Sequence, residues 1–417
     1  MRYRSVLDAV IGYEMKNIES SIKQFSSIKL PVILITSLFF LWGFSYGLLD
    51  VLNKHFQEVL HIGKRESSLL QAAYFGAYFM MALPAGKLMQ RYGYKAGILS
   101  GLIIFAIGAC LFYPAAHFFS FNAFLLALFV LATGLTFLET AANPLMTVIG
   151  KPERAAFRLN LAQSFNGVGS IAGPLLGGYL FFGSSGGRGN FNQVQYMYMA
   201  IALVVLLLAL VIFKTQMPEP DKLVKASGAF KVSDLFRDKR FMAAVIAQFF
   251  YVAAQVGVAA FFINYCTEQG DSGNKTASYF LSIAMILFTL GRFTGTALLR
   301  IIAPNKLLTG YALINVVLCI VVVFAIKPFN IIALMVIFFY ESVMFPTIFT
   351  MGLRNMNDRT QIASSVLVMS IVGGAIVPYF MGMIADAYST AFAYLIPMFC
   401  FIIVGWFGWI SSKENAV

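Results

Sequence analysis

Charge is what this sequence has least of. Asp, Glu, Lys and Arg make up 12% of its 417 residues, where a soluble domain carries roughly a quarter. Histidine is scarcer still: His55, His61 and His117 all fall in segments read below as outward-facing, so a buried histidine relay is excluded and no metal site is expected. Cys110, Cys266, Cys319 and Cys400 stand alone on separate apolar runs, with no C-x-x-C spacing and no neighbouring histidine. They read as small core residues rather than as a disulfide or zinc framework. No nucleophile stands with its base, so the chain does not read as an enzyme and no cofactor is expected. Gly43-Phe-Ser-Tyr-Gly47 fits the G-x-S-x-G pattern, but that pattern needs a strand–turn–helix elbow and here it lies inside an apolar run.

Apolar side chains take the place of charge, at 59% of the residues. Runs of about 20 residues or more, each able to cross a hydrocarbon core of roughly 30 Å as a helix, recur along the chain. Twelve can be drawn: Leu30 to Phe56, Ser67 to Gln90, Ala96 to Tyr113, Phe121 to Ile149, Ala155 to Phe182, Tyr196 to Phe213, Phe241 to Cys266, Thr276 to Arg300, Leu307 to Ile326, Asn330 to Leu353, Ile362 to Asp386 and Ala391 to Ile410. The fold class is an all-α polytopic membrane protein.

The net charge of +12 raises the question of a nucleic-acid partner, and the placement of the basic residues answers it. The N-terminal tail, the even-numbered loops and the C-terminus hold 23 of the 30 Lys and Arg, the odd-numbered loops hold 6, and Arg292 lies inside a span. This is a topology signal that puts both termini in the cytoplasm, in a plasma membrane or bacterial inner membrane, with no nucleic-acid partner. Residues 1–29 are polar, mixed in charge and without a signal-peptide core, so no cleaved leader is expected. Residues 214–240 carry seven Lys or Arg together with Pro218, Pro220 and several acids. They read as a solvated cytoplasmic linker between residues 30–213 and 241–410, with 411–417 as a cytoplasmic tail. Asn274-Lys-Thr276 is a glycosylation sequon in an outward loop, too near the membrane for its use to be expected.

The two halves match in order. Gly86-Lys-Leu-Met-Gln-Arg91 after the second span has the frame of Gly295-Thr-Ala-Leu-Leu-Arg300 after the eighth, at an offset of 209. Phe39-Phe40 returns as Phe249-Phe250, Glu139-Thr-Ala-Ala-Asn-Pro144 as Glu341-Ser-Val-Met-Phe-Pro346, and Gly169-Ser-Ile-Ala-Gly-Pro174 as Gly373-Gly-Ala-Ile-Val-Pro378. Two parallel six-helix bundles joined by a long linker are the arrangement of the major facilitator superfamily. Within it, Phe39-Phe-Leu-Trp-Gly43 with Asp50 beyond, Phe137-Leu-Glu-Thr-Ala-Ala-Asn-Pro144, Arg158-Leu-Asn-Leu-Ala-Gln-Ser-Phe-Asn166, Gly291-Arg-Phe-Thr-Gly295 and Met344-Phe-Pro-Thr-Ile-Phe349 resemble the fucose and glucose/galactose proton symporter family. The resemblance implies inward carriage of a monosaccharide with a proton. It places the two essential acids on Asp50 and Glu139, and sugar-facing positions on Gln163 and Asn166. Leu49 stands where many members have Asn, and Gln90 where the superfamily usually has an acid. The first leaves the sugar open. The second implies that inner gating at Gly86 and Arg91 leans less on an ion pair with Arg91, or on a different partner.

The residue chemistry can be read beside the resemblance. A charge at mid-membrane costs roughly 2.5 to 3.5 kcal/mol on insertion scales, so Asp50 and Glu139 are expected to face a cavity and to be protonated part of the time, which suits a proton carrier. Asp50 otherwise caps the first span beside Lys54, and Glu139 otherwise makes a buried interhelical hydrogen bond. Gln163 and Asn166, three apart, share a helix face and offer donors and acceptors to sugar hydroxyls, or else to a neighbouring helix. Asn143 either orients Glu139 or touches sugar. Trp42, Tyr46, Tyr251 and Tyr340 are candidates for packing on a pyranose. Glu341 reads as an interhelical hydrogen-bonding group or a second protonatable site. The expectation is a monomeric, proton-coupled carrier of fucose, glucose, galactose or a related sugar such as a hexosamine, working by alternating access in the lipid bilayer. A non-transporting sugar sensor and a proton-driven exporter of another small molecule are the alternatives.

Overall fold

A computed structural model describes residues 30–49, 52, 56, 59–61, 69–149, 152–182, 192–217, 232–270, 274–356 and 359–413. Asp50, Lys54, His55, the tail 1–29, most of the linker and residues 414–417 lie outside the described residues.

Every regular element among the described residues is helical. In hydrocarbon only helices and closed β-barrels satisfy the backbone, and continuous apolar runs of about 20 residues fit the helix rather than the alternating strands of a barrel. The first half holds α1 (Leu30–Leu49), α2 (Leu69–Tyr92), α3 (Tyr94–His117), α4 (Phe121–Val148), α5 (Ala155–Phe182) and α6 (Asn192–Lys214). The second holds α7 (Lys239–Ala260, continued by Phe262–Gln269), α8 (Asn274–Leu298), α9 (Pro304–Val323), α10 (Phe329–Glu341 and Met344–Leu353), α11 (Thr360–Met369 and Gly373–Ala387) and α12 (Thr390–Ala393 and Leu395–Lys413). Among the described residues, ten spans are both long and apolar enough to cross a membrane, and α2 and α5 have the length at 24 and 28 residues.

Local chemistry sets several helix ends. The Ser120 hydroxyl accepts from Ala123 N at 3.3 Å and opens α4, and Asp238 Oδ1 accepts from Arg240 N and Phe241 N at 3.0 and 3.1 Å and opens α7. These are N-caps that satisfy otherwise orphaned amides. Spans ten and eleven, each expected as one continuous helix, are interrupted. In α10 the break at Ser342–Val343 lies where Pro346 offers no N–H to the Ser342 carbonyl, although the matched Pro144 leaves α4 continuous. In α11 a tight turn at Ser370–Val372 precedes the poor helix formers Gly373 and Gly374.

In the first bundle α3 packs on α4 and α6, and α2 on α4; in the second α9 packs on α10 and α12, and α7 on α11 and α12. The internal repeat is visible in the packing. A Cβ on Gly169 would lie 2.2 Å from the Phe40 carbonyl, and one on Gly373 would lie 2.4 Å from the Phe249 carbonyl. The matched glycines thus seat α5 on α1 and α11 on α7. Between bundles, α2 meets α11 and α5 meets α8, two contacts that the repeat exchanges; α4–α11 and α5–α10 contacts complete the seam. The Lys95 ammonium donates to the Phe213 and Thr215 carbonyls at 2.8 Å, fixing the start of α3 beside the end of α6 on the side of the linker.

Candidate functional site

Four elements bring polar side chains to the seam, starting with α4. Along one of its faces the Thr136 and Thr140 hydroxyls donate back to the Ala132 and Thr136 carbonyls at 2.8 and 2.7 Å, so their polarity is spent within the helix. Glu139 and Asn143 are not satisfied this way. Both are buried, Glu139 at 1% exposure, and Asn143 Nδ2 donates to Glu139 Oε1 at 3.4 Å. Glu139 Oε2 receives no hydrogen bond from the described residues. The Tyr78 hydroxyl lies beside the carboxyl and pairs with the Tyr74 hydroxyl at 3.4 Å. Tyr74 in turn packs against Tyr46 of α1, ring centroids 5.9 Å apart.

From Asn143 the contacts run on to α5 and then into the other bundle. Gln163 Nε2 donates to Asn143 Oδ1 at 3.3 Å. Asn166 Nδ2 donates to the Phe39 carbonyl of α1 at 3.2 Å. Arg292 of α8, buried at 5% exposure, crosses the seam: its Nη1 lies 2.7 Å from the Gln163 carbonyl, 3.4 Å from Gln163 Oε1 and 3.2 Å from Asn166 Oδ1. Its Nε donates to the Ser342 carbonyl at 2.9 Å, the acceptor that Pro346 leaves without a helical partner. The guanidinium also lies over the Phe288 ring, 4.5 Å from its centroid.

The structure therefore brings together Glu139 with Asn143 and Gln163 with Asn166, two pairs that the sequence reading selected on different spans. Trp42 is half-buried one turn from Phe39, ring centroids 6.1 Å apart, and joins the group only through α1. Tyr251 and Tyr340 belong to the second bundle, Tyr251 fully buried and Tyr340 packed edge-on to Tyr311 at 4.9 Å. Gly86 sits where α2 meets α11, and a Cβ there would lie 1.9 Å from Ser365 Oγ. Arg91 is exposed, lies over the Tyr92 ring at 5.2 Å, and forms no ion pair among the described residues. Glu341 is completely buried, and neither carboxylate oxygen has a hydrogen-bond partner among the described residues.

Two groups escaped the sequence reading. Arg292 had one available signal, as a basic residue well inside a span rather than near its end. Tyr74 and Tyr78 had none, being two of 19 tyrosines in an aromatic-rich chain.

Other hydrogen bonds cross the seam. Asn160 Nδ2 donates to Thr347 Oγ1 at 3.3 Å, and the Ser364 hydroxyl to the Thr140 carbonyl at 3.1 Å. These bonds and those of Arg292 lie in the linker-side half of the seam.

The Major Facilitator Superfamily profile matches residues 35–370. The L-fucose-proton symporter of Escherichia coli (strain K12) is 38% identical over 416 residues, covering 94% of this chain and 95% of its own. The glucose/galactose transporter of Brucella abortus biovar 1 (strain 9-941) is 36% identical over 390 residues, covering 91% and 93%. A solved structure described as a Major Facilitator Superfamily transporter, FucP, in the outward conformation superposes with a TM-score of 0.86 at 37% identity, covering 92% of this chain and 99% of that one. A proton:xylose symporter, XylE, at 13% identity and a TM-score of 0.74 shares the fold. With two six-helix halves, a matching profile over most of its length and relatives of this closeness, the chain belongs to the Major Facilitator Superfamily.

Proposed function

We propose that this protein carries a monosaccharide inward together with a proton, by alternating access between its two bundles. The observation that carries the reading is the unbroken contact from the Glu139 carboxyl through Asn143 to Gln163, with Asn166 one turn along. It links a group able to take up a proton to amides able to bind hydroxyls, so occupancy of one bears on the other. A carboxyl at 1% exposure is tolerated in a membrane interior when it is neutral part of the time or paired, and the missing partner on Oε2 suits a site that gains and loses a proton. The relatives, an L-fucose-proton symporter and glucose/galactose transporters, support fucose, glucose or galactose as substrate; a related sugar such as a hexosamine is the further candidate.

In this reading Asp50 and Glu139 carry the proton. Gln163, Asn166 and Asn143 bind sugar, and Trp42 and Tyr46 pack on it. Gly86 allows α2 and α11 to close the linker side, with Arg91 at its rim. The linker side faces the cytoplasm, in keeping with its excess of Lys and Arg, and the protein works as a monomer in a plasma or bacterial inner membrane. Carrying one positive charge inward with a neutral sugar lets a potential of 100 mV contribute about 2.3 kcal/mol.

The test is uptake of labelled hexoses, hexosamines and 6-deoxyhexoses into proteoliposomes in sodium-free buffer, with and without a protonophore. The expected result is accumulation that requires the inward proton gradient and alkalinises the outer medium when sugar is added. Strict sodium dependence, or accumulation that survives collapse of the gradient, rejects proton symport.

A further inference from the structure

The second bundle holds a charge pair that the transport reading does not use. Arg292 and Glu341 are both buried, and the bond from Arg292 Nε to the Ser342 carbonyl places the side chain beside the residue that follows Glu341, but they form no ion pair. Arg292 instead spends its donors on Gln163, Asn166 and the Ser342 carbonyl. Glu341, next in sequence to Ser342, has two carboxylate oxygens with no hydrogen-bond partner among the described residues.

We infer that Arg292 is a latch between the bundles which bound sugar releases, and that Glu341 is the seat to which its guanidinium withdraws. The inference rests on the sugar-site reading given above. Arg292 now occupies Gln163 Oε1 and Asn166 Oδ1, acceptors that a sugar hydroxyl would use, so sugar and guanidinium compete for them. When α5 parts from α8, the guanidinium loses its acceptors on α5 and stays in an apolar interior, where an unpaired charge is costly. A carboxylate with two free oxygens suits a bidentate pair with arginine. Phe288 and the Ser342 carbonyl hold the side chain within its own bundle, so the transfer is a swing about contacts already made. Glu341 then serves as the counter-charge of the displaced guanidinium rather than as the carrier of the transported proton.

The seam can be read directly with a disulfide. Asn160 and Thr347 touch across it, so N160C/T347C in a background lacking the four native cysteines reports closure by oxidative cross-linking in proteoliposomes, with L-fucose, D-glucose and D-galactose as probes. In the parent pair, a transported sugar lowers cross-linking. Glu341→Gln removes the seat, so cross-linking rises and its reversal by sugar is lost, with opening suppressed roughly tenfold, as expected for one charge-assisted bond. Sugar binding weakens by a comparable factor, because sugar must displace a guanidinium that has no seat to withdraw to. Glu341→Asp restores the parental response. R292Q/E341Q, which leaves no unpaired charge to impair folding, cross-links less than the parent with or without sugar. The latch is overturned if Glu341→Gln keeps the parental yield and sugar response, or if R292Q/E341Q without sugar cross-links as fully as the parent. A parent that binds none of the three sugars overturns the substrate reading instead, while the sugar-free comparison of R292Q/E341Q with the parent still decides the latch.

Discussion

The Ser364 hydroxyl reaches the Thr140 carbonyl at 3.1 Å, across the line where the two bundles meet. That carbonyl is available because Pro144, four residues further along α4, has no N–H to give it. The repeat reproduces the defect in the second half, where Pro346 frees the Ser342 carbonyl and Arg292 Nε takes it at 2.9 Å. The two halves solve one problem differently. The acceptor in α4 is served by α11 of the opposite bundle, and the acceptor in α10 by α8 of its own. The proline of α4 therefore ties backbone satisfaction to closure of the linker side.

Ser364→Ala should loosen that closure by about 1 kcal/mol, the low end for leaving a buried acceptor without its donor, since the same hydroxyl also lies 2.9 Å from the Gln361 carbonyl. Pro144→Ala returns an N–H to the Thr140 carbonyl and should make Ser364 dispensable. A double-mutant cycle on the melting midpoint in detergent measures the coupling. Additive effects of S364A and P144A would show that the contact bears no load.

Glu139→Gln should abolish accumulation against a gradient, because an amide cannot carry the proton, while still accepting from Asn143 as the carboxyl does now. Sugar exchange without a gradient should persist. Asp50→Asn should likewise lose accumulation. Comparing proton-driven uptake with counterflow separates the two functions, and concentration of sugar by both variants at the parental level would remove the coupling role from these acids.

The membrane spans were legible because lipid imposes one solution on the backbone, and a run such as α6, with no charge between Asn192 and Phe213, admits no other reading. Glu139 was legible for the converse reason, since a carboxylate among Leu135, Leu138 and Ala142 has no cheap structural excuse. Contacts across the seam were not legible. The Ser364–Thr140 and Asn160–Thr347 bonds join residues 224 and 187 positions apart, and neither serine nor threonine is costly enough in a helix to announce a partner, because each can donate to its own preceding turn. The unpaired carbonyl in α10 was written in Pro346, whose effect on an acceptor four residues back is local chemistry. Its consequence, a docking point for Arg292, depends on how α8 packs.

Gln163→Ala should weaken sugar binding by roughly 1 to 3 kcal/mol and also cut the only described side-chain route from Asn143 to Arg292. Asn166→Ala should weaken binding by a similar amount and release the Phe39 carbonyl contact to α1. Coupling should survive in the remaining transport, seen as an unchanged proton-to-sugar ratio. Unaltered apparent affinity in both variants would assign the two amides to helix packing alone.

Gly86 tests the closed seam from the other side of its pseudo-symmetry. A methyl group there would sit 1.9 Å from Ser365 Oγ, 3.0 Å from its Cβ and 3.1 Å from the Gln361 carbonyl. Rotation of the hydroxyl relieves the first overlap and leaves the other two. Gly86→Ala should therefore destabilise the linker-closed state by about 1 to 3 kcal/mol, the usual cost of overpacking, which lowers the apparent affinity for external sugar without touching the binding amides. Ser365→Gly removes both serine atoms from the clash and should restore most of the loss in the double variant G86A/S365G. Because Ser365 also donates to the Gln361 carbonyl at 2.9 Å, S365G alone should show a small loss of its own. Initial rates of sugar uptake at graded external concentrations across the four proteins give the comparison, and a Gly86→Ala variant with parental affinity would mean that α2 and α11 do not need this contact to close.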